Sequence, residues 1–275
     1  MSSSYPSGQL AIASPWRVAF QLAKREIVRF FRQKNRVVGA VGQPVLFWLL
    51  FGTGLNQSFQ MQGQSFSEYY VPGTIVLILL FTAIFSTISI IEDRNEGFLQ
   101  SVLVAPIPTW SMVLGKVLGG TLIALIQAIL FLALSLLLVS QISVVGIALS
   151  IVYMTLIAIG LTCLGFVLAW KLDSTQGFHA IMSVLLMPMW LLSGAFFPIP
   201  DVQTQLTMGE KILRIVMLLN PTTYAVAGLR RVFIEQSNAW MPSVTLCWTV
   251  TILFGSIMFA AATAIARTRT AGDLK

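Results

Sequence analysis

The sequence predicts an all-α integral membrane protein with six transmembrane helices. Of its 275 residues, 56% are hydrophobic and only 10% are charged, and the mean hydropathy is +0.84. A soluble domain usually carries about 25% charged residues. Crossing a bilayer core of about 30 Å takes about 20 consecutive apolar helical residues. Six segments have this character: 37–57, 70–91, 113–139, 144–170, 179–198 and 244–266.

These spans divide the chain into four parts. Residues 1–13 are expected to be disordered and contain no apolar segment typical of a secretory signal. A helix over 14–36 follows, then the transmembrane domain over 37–266 and a tail over 267–275.

The helix over 14–36 is predicted to be basic and amphipathic. Ser14 followed by Pro15 is typical of a helix start. Apolar and basic residues then recur on opposite sides, which predicts a helix in the interface plane that anchors the protein, docks a cytoplasmic partner, or does both. The apolar side holds Trp16, Phe20, Ala23, Ile27, Phe30 and Phe31, and the polar side holds Arg17, Gln21, Lys24, Arg25, Arg29, Arg32 and Arg36.

The distribution of basic residues predicts that both termini are cytoplasmic. Seven of the 17 Lys and Arg residues lie within 17–36, and basic residues that flank spans stay on the cytoplasmic side. Arg94, Lys171 and the tail fit this topology. The net charge of +7 therefore indicates topology and anionic lipid before nucleic acid. The long connection 199–243 is an exception, because it would place four cations outside: Lys211, Arg214, Arg230 and Arg231.

Span three opens with a run of small residues, Gly115, Gly119 and Gly120, and span one also contains several glycines. Small residues one turn apart let helices approach closely in lipid. They predict close packing, either within one subunit or in a dimer face.

The connection between spans two and three concentrates charge. Glu92, Asp93 and Glu96 are three of the chain's ten acids and surround Arg94. A short helix of about nine residues, about 14 Å long, is predicted over 97–105. Its apolar side would hold Phe98, Leu99, Val102 and Leu103, and Pro106 and Pro108 would end it. The charged end is expected to face the cytoplasm and a partner.

Span five is predicted to be short and broken. Pro188 lies inside it, and the stretch SGAFFPIP at 193–200 ends it. Two short amphipathic helices are predicted next, over 206–219 and 222–235, and both are expected to dip into or lie on the outer leaflet. Asn220-Pro221 forms the start of the second.

The sequence offers no recognisable catalytic, metal or nucleotide site. The single histidine, His179, has only Asp173 near it and is interpreted as an interfacial polar residue. Gly115-Lys116 is followed by Val117 and does not form a phosphate-binding loop, so another chain must bind any ATP. No predicted span has a charge near its middle, which disfavours a secondary transporter or a charge-selective channel.

The order of these motifs resembles the ABC-2 family of ABC exporter permeases. The acidic cluster, Gly97, Ala105-Pro106 and Leu114-Gly115-Lys116 are similar to that family's cytoplasmic loop. RFFRQKNRVVG, SGAFFPIP and LNPTTYAVAGLRR are similar to its other motifs, in the same order. The stretch FLQSVLVAPIPTWSMVLGKVLGGT, with Gln127, resembles the small permeases of daunorubicin resistance and nodulation lipo-oligosaccharide export.

This resemblance implies a non-catalytic permease subunit in the plasma (inner) membrane. Such a half-transporter forms a homodimer or heterodimer and binds two ATPase subunits, which hold the ATP and Mg²⁺. It would export an amphipathic or lipid-like substrate, such as a drug, natural product or glycolipid, by alternating access. A polysaccharide or lipid-linked glycan is the alternative cargo, and a secondary transporter or channel is the alternative class.

The resemblance and the residue patterns together indicate roles for particular residues. Coupling to the ATPase is assigned to Glu92, Asp93, Arg94, Glu96, Gly97, Phe98, Pro106 and Lys116, and the interface helix to Trp16, Arg17, Phe20, Lys24, Arg25, Arg29 and Arg32. The outer gate would contain Gly194, Phe197, Pro198, Asn220, Pro221, Tyr224 and Arg230. The candidate substrate path contains Gln43, Gln127, Met187, Trp190 and Phe196.

Overall fold

A computed structural model describes residues 14–33, 38, 42, 45–46, 48–51, 66–136, 143–201, 206–233 and 240–268. The regular structure in these ranges is helical throughout. The helices are α1 (Pro15–Arg32), α2 (Phe66–Ser86), α3 (Ile88–Asn95), α4 (Phe98–Val104), α5 (Thr109–Leu136), α6 (Val144–Lys171), α7 (Thr175–Leu191), α8 (Met208–Leu219), α9 (Pro221–Phe233) and α10 (Val244–Ala266). The segment 1–13, most of the predicted span one with Gln43, and most of the tail lie outside the described residues.

Four stretches of the described chain are long and apolar enough to cross a membrane. They are Tyr69–Asn95, which joins α2 and α3, and the helices α5, α6 and α10. The pair α8 and α9, bent by 83°, is a fifth candidate. The protein is therefore a multi-pass helical membrane protein with four or five candidate spans, and the count of six stays a prediction.

The helix α7 corresponds to the predicted span five but is not broken. It has 17 residues, about 26 Å of helix, and runs through Pro188 to Leu191. Pro188 lies in the last turn and has no N–H to donate to the carbonyl of Val184, so the helix loses one hydrogen bond there but continues to Leu191. The end itself is set by Gly194, whose φ of 78° is in the left-handed region that favours glycine.

The core is built around α2, which packs against α5 and α6. The close approach depends on small residues. A Cβ atom added at Gly120 would lie 2.7 Å from Thr162 Cγ2 of α6, and one at Gly165 would lie 2.9 Å from Ile84 Cα of α2. Gly115 and Gly119 of α5 face α1 instead. These glycines of span three therefore pack within the subunit.

The two amphipathic helices after α7 are present close to their predicted bounds, but they differ in environment. Asn220 begins α9 as expected, since its Oδ1 accepts a hydrogen bond from the Thr222 N–H at 3.1 Å. α8 keeps many exposed apolar side chains, whereas α9 packs against α2, α6 and α10. α9 is thus part of the helix bundle, and the placement of both helices on or in the outer leaflet stays a prediction.

Candidate functional site

A cluster of ion pairs joins α1, α3 and α5 at one end of the bundle. Its centre is Asp93, whose side chain is fully buried in the last turn of α3. Arg25 donates to both carboxylate oxygens, at 2.8 and 2.9 Å, and Arg29 donates to Oδ1 at 2.7 Å. The ammonium of Lys116 donates to Oδ2. One carboxylate thus binds three cations from two other helices.

Lys116 connects this centre to a second buried acid. Its Nζ lies 2.7 Å from Glu26 Oε1 and 3.3 Å from the hydroxyl of Ser89. Both Lys116 and Glu26 are buried, so each supplies the counter-charge that the other needs away from water. Glu26 was not singled out in the sequence, because it falls among apolar and small residues on the side of α1 that faces α5.

The rim of the cluster is more exposed. Arg29 also binds Glu92 at 2.9 Å and Glu96 at 3.4 Å, and the side chain of Glu96 is 60% exposed. The hydrogen bonds of Asp93 raise the pKa of the Arg25 guanidinium, so Arg25 stays charged. Three cations and four carboxylates therefore meet at the junction of α1, α3 and α5.

Arg94, the next residue after Asp93, points to a different helix. Its guanidinium donates to the carbonyl oxygens of Trp170 at 2.8 Å and Leu172 at 3.2 Å, at the end of α6. Asp173 is 3.7 Å away. The last carbonyls of a helix lack partners within it, so an arginine there satisfies them. The neighbours Asp93 and Arg94 thus fasten α3 to α1 and α5 on one side and to α6 on the other.

The sequence predicts that the charged end of this connection faces the cytoplasm, but the structure buries two of its charged residues. Asp93 and Arg94 are buried and bind within the chain, whereas Glu96 has most of its side chain exposed. Whether any of the charges in 92–96 contacts a partner stays a prediction. Among the described residues, the segment 92–96 binds α1, α5 and α6 and so holds the start of α4 against these three helices.

The short helix α4 starts from Gly97, whose φ is 76°. It has seven residues, fewer than predicted, and ends at Val104, after which Ala105 is extended and Pro106 follows. Leu99 is buried, and the Phe98 ring lies 3.8 Å below the Arg25 guanidinium carbon. The buried side is narrower than the predicted apolar side, because Leu103 is exposed, and Val104 is 84% exposed.

The side of α1 that packs against α5 differs from the predicted apolar side. Trp16 and Phe20 are 68% and 66% exposed. The buried residues of α1 are Ala19, Leu22, Ala23, Glu26 and Phe30. Small side chains at this contact let the backbones approach, since a Cβ added at Gly115 or Gly119 would lie 2.7 Å from the Cβ of Leu22 or Glu26. This close packing brings Glu26 to Lys116.

At the other end of the bundle, Arg230 joins three segments. It is 4% exposed, and it donates to the carbonyl oxygens of Gly194 at 3.0 Å and Tyr69 at 3.3 Å. Its guanidinium carbon lies 3.8 Å from the centroid of the Tyr69 ring, whose hydroxyl also donates to Gly194 at 3.2 Å. Tyr69 was missed in the sequence, where it is one of several aromatic residues at a span end.

The other predicted outer-gate residues are more dispersed. Asn220 Nδ2 donates to the Met189 carbonyl oxygen at 2.6 Å, and the Tyr224 hydroxyl donates to Leu218 at 2.9 Å. Phe197 is half exposed, and Pro198 follows it in the segment after α7. Pro221 is the first residue of α9.

Among the described residues of the candidate substrate path, Trp190 and Phe196 lie together, and Gln127 makes its contact elsewhere on α2. Trp190 donates to the Gly73 carbonyl oxygen at 2.9 Å, and its ring belongs to an aromatic group with Phe196. Met187, three residues before Trp190, is partly buried and packs against the hydrophobic core. Gln127 instead accepts a hydrogen bond from Thr82 at 2.8 Å. The two contacts on α2 are nine residues apart, about 14 Å along the helix.

His179 packs its ring against Phe85, with 5.4 Å between the ring centroids. Among the described residues, no group of three or more His, Cys, Asp and Glu side chains is placed to hold a metal ion. The site that the described chain builds from charged residues is the cluster around Asp93.

The described chain is a multi-pass helical membrane fold in which a short charged connection is fastened to three helices. The chain belongs to the ABC-2 type transporter family, whose family model matches residues 17–234. Members of this family work with ABC ATPase subunits, and the permease subunits are not catalytic. The chain is therefore a permease subunit of an ABC transporter.

Three relatives illustrate the similarity. The chain is 25% identical over 232 residues to the Cyanophora paradoxa protein named putative transport permease ycf38, and the match covers 82% of this chain and 77% of the relative. It is 28% identical over 240 residues to the inner membrane transport permease YadH of Escherichia coli, covering 84% and 87%. It is 33% identical over 136 residues to the Escherichia coli protein named probable multidrug ABC transporter permease YbhR, covering 48% and 36%.

Proposed function

We propose that this chain is the membrane subunit of an ATP-driven exporter in which α4 receives the ATPase. The proposal includes six spans, cytoplasmic termini, a dimer of permease subunits and two ATPase subunits. The observation that carries it is that residues before α4 hold this helix in place through ion pairs and hydrogen bonds. Its flanking residues bind α1, α5 and α6, while its own tip at Leu103 and Val104 stays exposed.

The connections around α4 suit the transmission of force. A helix of seven residues is about 10 Å long, too short to be stable alone, so its position depends on its neighbours. Asp93 links it to α1 through Arg25 and to α5 through Lys116. A displacement of α4 by a partner would therefore act on three helices together, because breaking a buried ion pair costs about 3–5 kcal/mol.

The basic residues between α7 and α10 are compatible with an outer location. Arg230 binds the carbonyls of Gly194 and Tyr69, and Arg231 donates to those of Met241 at 2.9 Å and Pro242 at 2.7 Å. Arg214 donates to Pro200. Their presence is thus explained by contacts that hold this end of the bundle together, whichever side of the membrane it faces.

The residues around Arg230 are proposed as part of the outer gate. Arg230 ties α9 to the end of α7 and the start of α2, so opening that end requires these hydrogen bonds to break or move together. Gly194 takes part through its carbonyl oxygen, which accepts from both Arg230 and Tyr69.

The proposed cargo is amphipathic or lipid-like, with a polysaccharide or lipid-linked glycan as the alternative. Support comes from the aromatic group of Trp190, Phe196 and Tyr70, whose rings can contact apolar surfaces, and from the multidrug description carried by YbhR. ATP and Mg²⁺ would be bound by the partner ATPase.

The proposed docking role of α4 is tested by placing a charge on its exposed tip. Val104→Asp should abolish co-purification of an ABC ATPase with the tagged full-length chain from its host membranes. Val144→Asp is the matched control, because Val144 is 83% exposed at the far end of the bundle and Val104 is 84% exposed. Normal ATPase recovery with Val104→Asp would contradict the docking role.

A further inference from the structure

A groove lies on the outward side of α1, next to the ion-pair cluster. Its volume is about 640 Å³, and its walls come from α1 between Gln21 and Gln33 and from Glu96. Four basic side chains line it: Lys24, Arg25, Arg29 and Arg32. The groove is open, so a ligand can enter it from the surface of the protein.

The charges in this groove are not all compensated. Arg25 and Arg29 bind Asp93, but Lys24 and Arg32 have no carboxylate partner among the described residues. Glu96 holds Arg29 at 3.4 Å, the longest of the three ion pairs that Arg29 makes. Among the described residues, an anion that enters the groove therefore meets two cations without a carboxylate partner and one exposed carboxylate, Glu96, that it has to displace.

The position of α1 along the bundle indicates which anion this is. The 20 residues of α5 after Lys116, 117–136, make about 30 Å of helix, enough for the hydrocarbon core. Lys116 and the part of α1 beside it then lie where the hydrocarbon meets the lipid headgroups. Trp16, Phe20 and Phe31 are exposed on the neighbouring side of α1, as in helices that rest on a membrane surface.

We infer that this groove binds the headgroup phosphate of an anionic phospholipid. The phosphate would contact Lys24 and Arg32 and replace Glu96 on Arg29, while Val28, which also lines the groove, faces the lipid's apolar part. Glu96 lies just before α4, so the bound lipid would also loosen one tether of that helix. The inference rests on the proposed placement of α1 at the membrane surface and not on the ATPase contact.

The test measures lipid binding by the purified full-length chain. Native mass spectrometry counts phosphatidylglycerol retained from nanodiscs that mix it with phosphatidylcholine. Replacing both unpaired cations, Lys24→Gln with Arg32→Gln, should weaken phosphatidylglycerol binding roughly 10- to 30-fold, because each cation near an anionic surface contributes about a factor of five. Glu96→Gln should strengthen binding, since it removes the competing carboxylate.

The matched control is Arg17→Gln with Arg267→Gln, which removes the same charge from exposed positions outside the groove. Equal losses in the two double variants would mean diffuse attraction and would overturn the site. Displacement of the lipid by an equal concentration of glycerol 3-phosphate would overturn the choice of a lipid. If the groove variant kept its lipid binding but no longer co-purified with the ATPase, the groove would be a protein-binding site. The Val104→Asp test measures the ATPase contact of α4 separately.

Discussion

Asp93→Asn is the substitution that probes the ion-pair cluster most directly. Asparagine keeps the shape of the side chain but removes the charge that binds Arg25, Arg29 and Lys116. Breaking a buried ion pair costs about 3–5 kcal/mol. Lys116 keeps Glu26 and Arg29 keeps Glu92, so we expect the lower value, about 3 kcal/mol, or a decrease in Tm of roughly 6–12 °C.

The two cysteines provide the assay. Cys163 and Cys247 are free and buried, so a thiol-reactive fluorophore labels them only as the protein unfolds. Heating the purified protein in detergent with this dye gives Tm. Glu96→Gln is the control from the exposed rim of the same cluster, and it should change Tm by less than about 3 °C, because exposed ion pairs contribute little.

A double variant tests whether Asp93 and Lys116 stabilise the protein through their mutual ion pair or independently of each other. Lys116→Met removes the buried ammonium and leaves Asp93 with two arginines. If the two groups act through each other, Asp93→Asn with Lys116→Met should be more stable than the sum of the single effects, by about 0.5–3 kcal/mol. Additive effects, or a Tm for Asp93→Asn equal to that of Glu96→Gln, would refute the assignment of Asp93 as the centre.

Three further substitutions test other parts of the fold. Arg230→Met leaves the Gly194 and Tyr69 carbonyls without their donor and should lower Tm by roughly 2–12 °C; an unchanged Tm would contradict the clamp. Gly115→Leu should push α1 away from α5, because its Cβ would lie 2.8 Å from the Ala19 carbonyl oxygen, and limited trypsin digestion of α1 should become faster. Gln127→Leu leaves the Thr82 hydroxyl without its acceptor, so this variant should be less stable than Gln127→Leu combined with Thr82→Val, which removes that hydroxyl. Equal Tm values for the two variants would show that the hydrogen bond between Thr82 and Gln127 contributes nothing.

The fold class was predictable because long apolar segments have few alternatives in a membrane. Predicted spans two, three, four and six correspond to candidate spans in the structure. The prediction of a broken span five was wrong: a proline inside a span predicts a break, but α7 loses the one hydrogen bond that residue 188 would donate and continues to Leu191.

The charged connection was identified as important from its composition, but its contacts were not predictable. Sequence spacing places Asp93 near Glu92 and Glu96, and nothing local places it beside Arg25, 68 residues earlier. Glu26 was missed because an acid among apolar residues of a basic helix gives no pattern. Its role depends on Lys116, which reaches it only because Gly115 and Gly119 let two helices approach.

The cluster also affects how basic residues are used to infer topology. Counted in the described chain, α1 has five cations and the connection after α7 has four, nearly equal numbers. Arg25 and Arg29 pair with buried acids, and Arg214, Arg230 and Arg231 bind backbone carbonyls, so each has a reason in the fold. The remaining cations are Arg17, Lys24 and Arg32 on α1 against Lys211 alone. That three-to-one ratio favours the proposed topology more strongly than the raw count does.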